Sequence, residues 1–171
     1  REEKKSTTVL RLHPFPQDKN KLFRRLVSFL AFSFLAAIAS LLKRGPFDAV
    51  VAVSPPLTLG TVGKIAAMRH RSKLILNLQD IFPDVAIALG KIKSRSSVRV
   101  LKKYEKLTYS GCDAITVLSK DFEENVNRKI GSEKNLSQVE VIPNFLISSS
   151  IKPQCRLTDY REEHRLGEKF V

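Results

Sequence analysis

The sequence contains no tryptophan, one methionine and only two cysteines, Cys112 and Cys155, among its 171 residues. Two such widely separated cysteines cannot form the dense disulfide framework of a small secreted domain, and reduced thiols in a cytoplasmic protein are expected. The three histidines are scattered, and no His or Cys pair has the short spacing of a zinc site. The fold is therefore expected to depend on a hydrophobic core rather than on disulfides or a structural metal.

Acidic residues are scarce in the first part of the chain. Residues 1–103 hold 20 Lys and Arg against 6 Asp and Glu, a net charge of +14, whereas the remaining residues carry a net charge of −1. A positive field of this size attracts polyanions, which include nucleic acid, anionic lipid and phosphorylated substrates. Charge alone leaves these three partners open.

Long apolar segments are also rare, and the one such run extends from Leu26 to Leu42. As a helix it would be about 26 Å long, slightly shorter than a hydrocarbon core of about 30 Å. Its bulky residues gather on one face of a helical wheel, which is predicted to pack on a sheet. The opposite face carries Lys21, Arg25, Phe29, Phe32, Ala36, Ala39, Ser40 and Lys43. This basic, small-residue face is typical of a helix at a membrane interface. A membrane span and an ordinary core helix are the alternatives.

Short β-rich segments alternate with segments of helical periodicity. The β-rich segments are 8–12, 48–53, 73–78, 114–118 and 139–142, and the helical segments are 21–43, 57–70, 96–109 and 120–130. This order predicts an α/β fold with a parallel sheet, right-handed crossovers and helices on both faces. The apolar run 49–53 fits a strand that is covered on both sides.

Ligands of parallel α/β sheets bind beyond the carboxyl ends of the strands, so the residues that follow each strand are the candidates for a site. They are Ser54, Pro55, Asp80, Pro83, Asp84, Ser119 and Asn144. Asp80 directly follows its strand, where a carboxylate can orient a hydroxyl or polarise a sugar. The alternatives are that Asp80 and Asp84 are caps or loop-ordering carboxylates, and that Asn144, which follows a proline, forms a turn.

A second basic cluster follows this loop. Six cations occur within 13 residues without an acid: Lys91, Lys93, Arg95, Arg99, Lys102 and Lys103. Near an anionic lipid surface each cation can contribute about 1 kcal/mol of attraction. The cluster predicts peripheral membrane binding, with an ordinary solvated basic segment as the alternative.

Several motifs, in this order, resemble glycosyltransferase family 4, whose members have the two-domain GT-B fold. They are Val53-Ser54-Pro55-Pro56, Gln79-Asp80-Ile81-Phe82-Pro83-Asp84, the segment from Cys112 to Ser119, and Val141-Ile142-Pro143-Asn144. The sequence departs from the family after Pro-Asn, where a small residue, Val and Asp are usual. Phe145-Leu146-Ile147 stands there instead, so a role for the acidic residue of that segment does not transfer.

The resemblance implies that residues 1–144 form the Rossmann-like acceptor-side domain without its first strand. Residues 145–157 are then an interdomain linker, and 158–171 begin a donor-binding domain whose remainder is expected beyond Val171. The resemblance places Asp80 beside the transferred sugar as the catalytic residue. It implies substrate-binding roles for Ser54, Pro55, Pro83, Asp84, Ser119 and Asn144.

The implied reaction is retaining transfer of a sugar from a nucleotide sugar to a polyprenyl-diphosphate-linked acceptor, in the synthesis of cell-surface polysaccharide. The implied location is the cytoplasm, peripherally at the inner face of the cell membrane. No metal, no other cofactor and no nucleic acid is implied, and this chain alone is expected to be inactive. The alternatives are a non-catalytic basic module that binds anionic membrane or nucleic acid, and a truncated gene product without activity.

Overall fold

The computed structural model describes residues 2–4, 7–12, 22–131, 138–145 and 159–166. The strands are β1 (Glu2–Lys4), β2 (Thr7–Val9), β3 (Ala49–Ser54), β4 (Lys73–Leu78), β5 (Ala114–Val117) and β6 (Gln138–Val141). The helices are α1 (Leu22–Leu42), α2 (Thr58–His70), α3 (Asp84–Ala88), α4 (Arg95–Tyr109), α5 (Lys120–Ile130) and α6 (Asp159–Glu163). The predicted alternation of strands and helices is therefore confirmed from α1 to β6.

The main sheet contains four parallel strands in the order β3-β4-β5-β6. Its register aligns Ser54 of β3 with Leu78 of β4, and Thr116 of β5 with Glu140 of β6. Because all four strands run in the same direction, their carboxyl ends meet at one edge of the sheet, and the loops that follow them are brought together there. The predicted α/β fold with a Rossmann-like parallel sheet is confirmed.

One core joins this sheet to three of its helices. Leu74, Leu76 and Leu78 of β4 point into a buried cluster that also holds Ile115 and Val117 of β5. Helices α2, α4 and α5 contribute Ala67, Tyr109, Val126 and Ile130 to the same cluster. Strands in sequential order with right-handed crossovers place their connecting helices on one face, so a single core results.

Helices were expected on both faces of the sheet, but among the described residues the opposite face of β3 is exposed. Among the described residues β3 is an edge strand that pairs with β4 alone. Its side chains Val51 and Val53, which alternate with the buried Ala52, are 62% and 48% exposed. Within the described part of the chain, β3 therefore buries side chains on one face of the sheet and leaves the valines on the other face exposed.

Two glycines in α2 explain how this helix approaches the sheet. A Cβ atom on Gly63 would lie 2.8 Å from the Cβ of Ala52 and 2.8 Å from Leu74 Cδ1. A Cβ on Gly60 would lie 2.4 Å from the Thr108 side chain of α4. These glycines permit close packing of α2 on β3, β4 and α4, which offsets their intrinsic cost in a helix of about 1 kcal/mol each.

The predicted first parallel strand, 8–12, is wrong. Residues Thr7–Val9 pair instead with Glu2–Lys4, antiparallel, in a separate two-stranded sheet. Local β propensity identifies an extended segment but does not specify the strand with which it pairs. Pairing with a segment nearby in sequence closes the shortest loop and therefore costs the least chain entropy. Of the predicted linker only Phe145 is described, and the strand expected at 168–171 lies outside the described residues. The helix expected at 160–166 is present as α6, Asp159–Glu163.

The predicted packing of α1 is also wrong. The helix packs on α2 rather than on the sheet, and it does so through its small-residue face. Ser33 Oγ lies 2.7 Å from Thr58 Oγ1, and His70 Nε2 donates a hydrogen bond to the Ser40 carbonyl oxygen at 2.9 Å. The bulky residues face outward, with Leu30 and Phe34 50% and 66% exposed. Small side chains on α1 let the two helices approach closely.

Among the residues that the structure describes, no helix combines the length and the apolar character needed to cross a membrane.

Candidate functional site

The candidate site lies at the carboxyl edge of the sheet, where four loops converge. Strand β3 ends at Ser54 and is followed by Pro55-Pro56, residues 79–83 connect β4 to α3, Ser119 follows β5, and Asn144 lies three residues beyond β6. Backbone hydrogen bonds extend the parallel pairing into two of these loops. Gln79 N donates to Ser54 O at 2.9 Å, and Ile142 N donates to Val117 O at 2.8 Å. The loops are therefore held at the height of the strand ends.

Asp80 is the exposed carboxylate of this edge. It directly follows Gln79, whose backbone is fixed to β3, and its side chain is open to solvent. Within the described ranges its carboxylate has no ion pair or hydrogen bond, whereas Asp84 and Asp113 are both paired. An anchored backbone with an unpaired carboxylate suits the orientation or polarisation of a sugar hydroxyl.

Asp84 has a different environment. It begins α3, and its carboxylate accepts a salt bridge from Lys129 of α5 at 2.7 Å. Lys129 Nζ also lies 2.6 Å from Glu105 Oε1 of α4, and the Tyr109 hydroxyl donates to the same oxygen at 3.0 Å. Asn125 contributes a longer hydrogen bond to Asp84 at 3.5 Å. One lysine therefore joins α3, α4 and α5 behind the Asp80 loop.

The two carboxylates of this network are perturbed in opposite directions. Burial raises the pKa of Glu105, and the hydrogen bond and charge of Lys129 only partly reverse that effect. Burial also acts on Asp84, but Lys129, with a smaller contribution from Asn125, outweighs it and lowers the pKa of Asp84. Burial and the adjacent Glu105 raise the pKa of Tyr109 well above its ordinary value. Asp84 therefore stays ionised at neutral pH.

A chain of side-chain hydrogen bonds crosses the uncovered face of the sheet beside Asp80. Asn144 Nδ2 donates to Gln79 Oε1 at 3.1 Å, the Gln79 amide donates to Asn77 Oδ1, and Asn77 Nδ2 donates to Thr116 Oγ1 at 2.8 Å. These bonds join the segment after β6 to β4 and β5. Asn144 thus orders the edge of the site through Gln79, rather than acting only as a turn former.

The remaining predicted site residues divide by burial. Pro55 is exposed, while Pro83 is fully buried and supports the loop from inside; the substrate-binding roles of both stay predictions. Ser54 is 1% exposed, and its Oγ has no hydrogen-bond partner among the described residues. Ser119 Oγ accepts from Phe122 N at 3.4 Å, which makes Ser119 the N-cap of α5.

The predicted membrane-binding residues also divide. The cations of the second basic cluster are all exposed: Lys91, Lys93, Arg95, Arg99, Lys102 and Lys103. Phe29 and Phe32 are half-buried on the side of α1 that faces α2, so their predicted exposure is wrong. Lys21 and the side chain of Arg25 lie outside the described residues.

Five residues that organise the site were missed by the sequence prediction. They are Asn77, Gln79, Glu105, Thr116 and Lys129. Their partners are separated by up to 65 residues in the chain, and each residue type is common on solvated surfaces. Two signals were available: the alternation of β4, which places Asn77 among aliphatic residues, and the position of Gln79 directly after that strand.

The described residues contain no group of three or more His, Cys, Asp or Glu side chains that could hold a metal ion.

A parallel α/β sheet whose loops converge at its carboxyl edge is the architecture of a Rossmann-like domain, and comparison with known proteins identifies the family. A family profile described as a glycosyl transferase 4-like domain matches residues 2–144. The chain belongs to this glycosyltransferase family.

Among curated proteins, the chain is similar to one from Pseudomonas aeruginosa named "Probable glycosyltransferase WbjE". The two are 28% identical over 126 residues, which is 71% of this chain and 31% of the relative. The chain thus spans about a third of the length of the curated relative that it matches.

Proposed function

We propose that this chain is the acceptor-side part of a retaining GT-B glycosyltransferase. The enzyme transfers a sugar from a nucleotide sugar to a polyprenyl-diphosphate-linked acceptor in the synthesis of cell-surface polysaccharide. The observation that carries the proposal is the exposed Asp80, which has no partner among the described residues, on an anchored loop at the carboxyl edge of the sheet, in a chain of the glycosyltransferase 4-like family.

On this proposal Asp80 contacts the transferred sugar and is the catalytic residue. Pro55, which is exposed at the same edge, contacts substrate. Asp84, Ser119 and Asn144 position the loops that surround Asp80, because each is hydrogen-bonded to a neighbouring element. Nucleotide-sugar binding resides mainly on a part of the enzyme that these 171 residues do not include, as the length of the relative supports.

The basic surface serves the acceptor on the same proposal. A lipid-linked acceptor stays at the membrane, so an enzyme held there by charge meets it more often. The exposed cations from Lys91 to Lys103 have no acidic residue between them in sequence. They suit peripheral attachment at the inner face of the cell membrane, where anionic lipid is present.

The direct test is sugar transfer by the complete enzyme. Expected is transfer to a polyprenyl-diphosphate-linked sugar with retained anomeric configuration, observed by NMR of the product. Transfer with inverted configuration would contradict the retaining mechanism. Absence of transfer across a panel of nucleotide sugars, with folded enzyme and lipid-linked acceptors, would contradict the function.

A companion test uses the 171-residue chain itself in calorimetric titration with nucleotide sugars. Weak or undetectable binding is expected because the main donor-binding surface lies elsewhere. Tight, saturable binding to this chain alone would show that the division of roles is wrong.

The net charge of +13 favours a second candidate, a non-catalytic module that binds polyanions. Nucleic-acid binding by such a module would weaken steeply with added salt, with a slope set by the number of phosphates neutralised. A titration with duplex and single-stranded DNA at two salt concentrations separates the candidates. The glycosyltransferase proposal expects no saturable nucleic-acid binding at physiological salt.

A further inference from the structure

The outward face of α1 carries a continuous apolar stripe. Its members recur at intervals of three and four residues, and Phe34 is 66% exposed. They are Val27, Leu30, Phe34, Ile38 and Leu41, all of them exposed. At 1.5 Å per residue the stripe is about 21 Å long. A row of exposed bulky side chains on one helix marks an interaction surface rather than scattered surface apolarity.

The orientation of this stripe is fixed by the other side of the helix. Ser28 and Ser33 are buried, the Ser33 and Thr58 hydroxyls are hydrogen-bonded, and His70 holds the Ser40 carbonyl oxygen. Contacts to α2 therefore extend from the middle of α1 to its carboxyl end. Turning the stripe toward α2 would require breaking these polar contacts, so within the part of the chain that the structure describes the stripe is directed outward.

The charges around the stripe indicate which kind of partner binds to it. No acidic residue occurs between Asp18 and Asp48, whereas six cations do: Lys19, Lys21, Arg24, Arg25, Lys43 and Arg44. Arg24 near one end of α1, and Lys43 and Arg44 beyond the other, are exposed. A second copy docked by the same face would bring like charges together in either orientation. An anionic bilayer offers an apolar interior directly beneath negative headgroups, which matches both features.

We propose that α1 lies in the plane of an anionic membrane, with the apolar stripe among the acyl chains and the flanking cations at the headgroups. This proposal deepens the membrane site of the proposed function and rests on it. It also reverses the face expected from the helical wheel: the bulky residues contact lipid and the small residues contact the protein. The cluster from Lys91 to Lys103 supplies attraction at a distance, and the stripe sets the depth of insertion.

The absence of tryptophan from the chain gives a specific probe. In Phe34→Trp the new indole is on the outward stripe, and in Phe32→Trp it is on the opposite face of the same helix, two residues away. Each variant is mixed with phosphatidylglycerol vesicles and with phosphatidylcholine vesicles. Emission wavelength and quenching by brominated acyl chains are then measured. Circular dichroism melts confirm that both variants fold.

We expect a blue shift and quenching for Phe34→Trp with anionic vesicles only, and no change for Phe32→Trp. Quenching of both residues would mean that α1 leaves α2 and is surrounded by lipid, which overturns the proposal. Quenching of neither, although vesicles sediment the protein, overturns the proposal while the proposed membrane attachment stands. Absence of sedimentation with anionic vesicles contradicts both.

Affinity provides an independent measurement. Removing one inserted aromatic side chain in Phe34→Ser should weaken binding to anionic vesicles about ten-fold or more. The matched control is Phe145→Ser, which removes a phenylalanine that is 83% exposed but lies beyond β6 rather than on α1. Equal weakening by the two variants would show that general surface apolarity, not the stripe, determines binding.

Discussion

Lys129 neutralises two carboxylates on different helices, and its removal tests whether this network supports the fold behind Asp80. We consider Lys129→Met, which keeps most of the volume and removes the charge. Glu105, whose side chain is 2% exposed, would retain the Tyr109 hydroxyl as its described partner. Asp84, at 33% exposure, can recover part of its solvation from water. The loss is therefore dominated by Glu105.

The expected loss of stability follows from the free energy of protonating Glu105, because protonation is the least costly way to remove its unpaired charge. Its ordinary pKa is 4.5. Protonating it at pH 7 costs about 3.4 kcal/mol, at 1.36 kcal/mol per pH unit. This value agrees with the about 3–5 kcal/mol measured when one partner of a buried ion pair is removed. We expect a loss of about 3 kcal/mol, which lowers the melting temperature by roughly 6–12 °C in a domain of this size.

The dependence on pH follows from the pKa directions. Removing Lys129 raises the pKa of Glu105 in the folded variant further. A group with a raised pKa in the folded state contributes fully to the free energy of unfolding below its ordinary pKa of 4.5, and this contribution is lost as pH rises. The lowered pKa of Asp84 contributes stability above its ordinary pKa of 3.8, and the variant loses that contribution too. Both deficits are greatest at neutral pH and shrink as the solution becomes acidic.

Urea unfolding followed by circular dichroism at pH 7 and at pH 4.5 measures this effect. The control Arg128→Met removes an exposed cation from the adjacent position of α5 and should cost less than about 0.5 kcal/mol. In the double variant Lys129→Met with Glu105→Gln, most of the lost stability should return, because the amide accepts the Tyr109 hydrogen bond without a charge. Equal losses at both pH values, or no recovery in the double variant, would refute the reasoning.

Three further predictions concern individual positions. In the complete enzyme, Asp80→Asn should lower kcat about 100-fold or more while the melting temperature changes little, because the carboxylate has no partner among the described residues; a variant that unfolds but turns over normally when folded would contradict this. Gly63→Ala should destabilise the chain by about 1–3 kcal/mol in urea unfolding, since its Cβ would meet Ala52; unchanged stability would show that α2 can shift. Burial raises the pKa of Cys112 to about 12, and its thiol donates to Thr108 O at 3.1 Å. In a Cys155→Ser background Cys112 should react with a thiol reagent at pH 8 only after unfolding, and rapid labelling of the native chain would contradict its burial.

The parts of the fold that were predicted from sequence are those that depend on local pattern. The strands at 73–78 and 114–118 and the helix at 120–130 have clear periodicity and definite ends, such as Ser119 at an N-cap and Gly131 at a stop. Gly60 and Gly63 are also a local signal of close packing, because glycine is otherwise unfavourable in a helix.

The parts that were not predicted depend on contacts between distant segments. The wheel of α1 separates bulky from small residues, but its periodicity does not state which face meets the protein. That choice was decided by α2, whose Thr58 and His70 bond to serines of α1. Similarly, a strand was expected at 8–12 and only Thr8 and Val9 of that range belong to one, while their partner strand Glu2–Lys4 has no hydrophobic pattern that would have identified it.

The candidate site shows the same division. The position of Asp80 was predictable because the fold places ligands at strand ends. The support around it was not, because Glu105 belongs to a helix with many charged residues and resembles a solvated side chain in sequence. Its burial becomes visible only when α4 and α5 are packed and Lys129 reaches it.

The edge position of β3 has a consequence for how the chain behaves as a solute. Its segment 49–54 is uncharged and largely apolar, and in the described part of the chain one row of its backbone groups is unpaired. Such an edge is a template for pairing with another chain. At low ionic strength the net charge of +13 keeps copies apart. Salt shortens the reach of that repulsion to about 8 Å at 0.15 M, and copies can then approach edge to edge. The charge that we propose attracts the domain to a membrane thus also opposes edge-to-edge pairing of copies in dilute buffer.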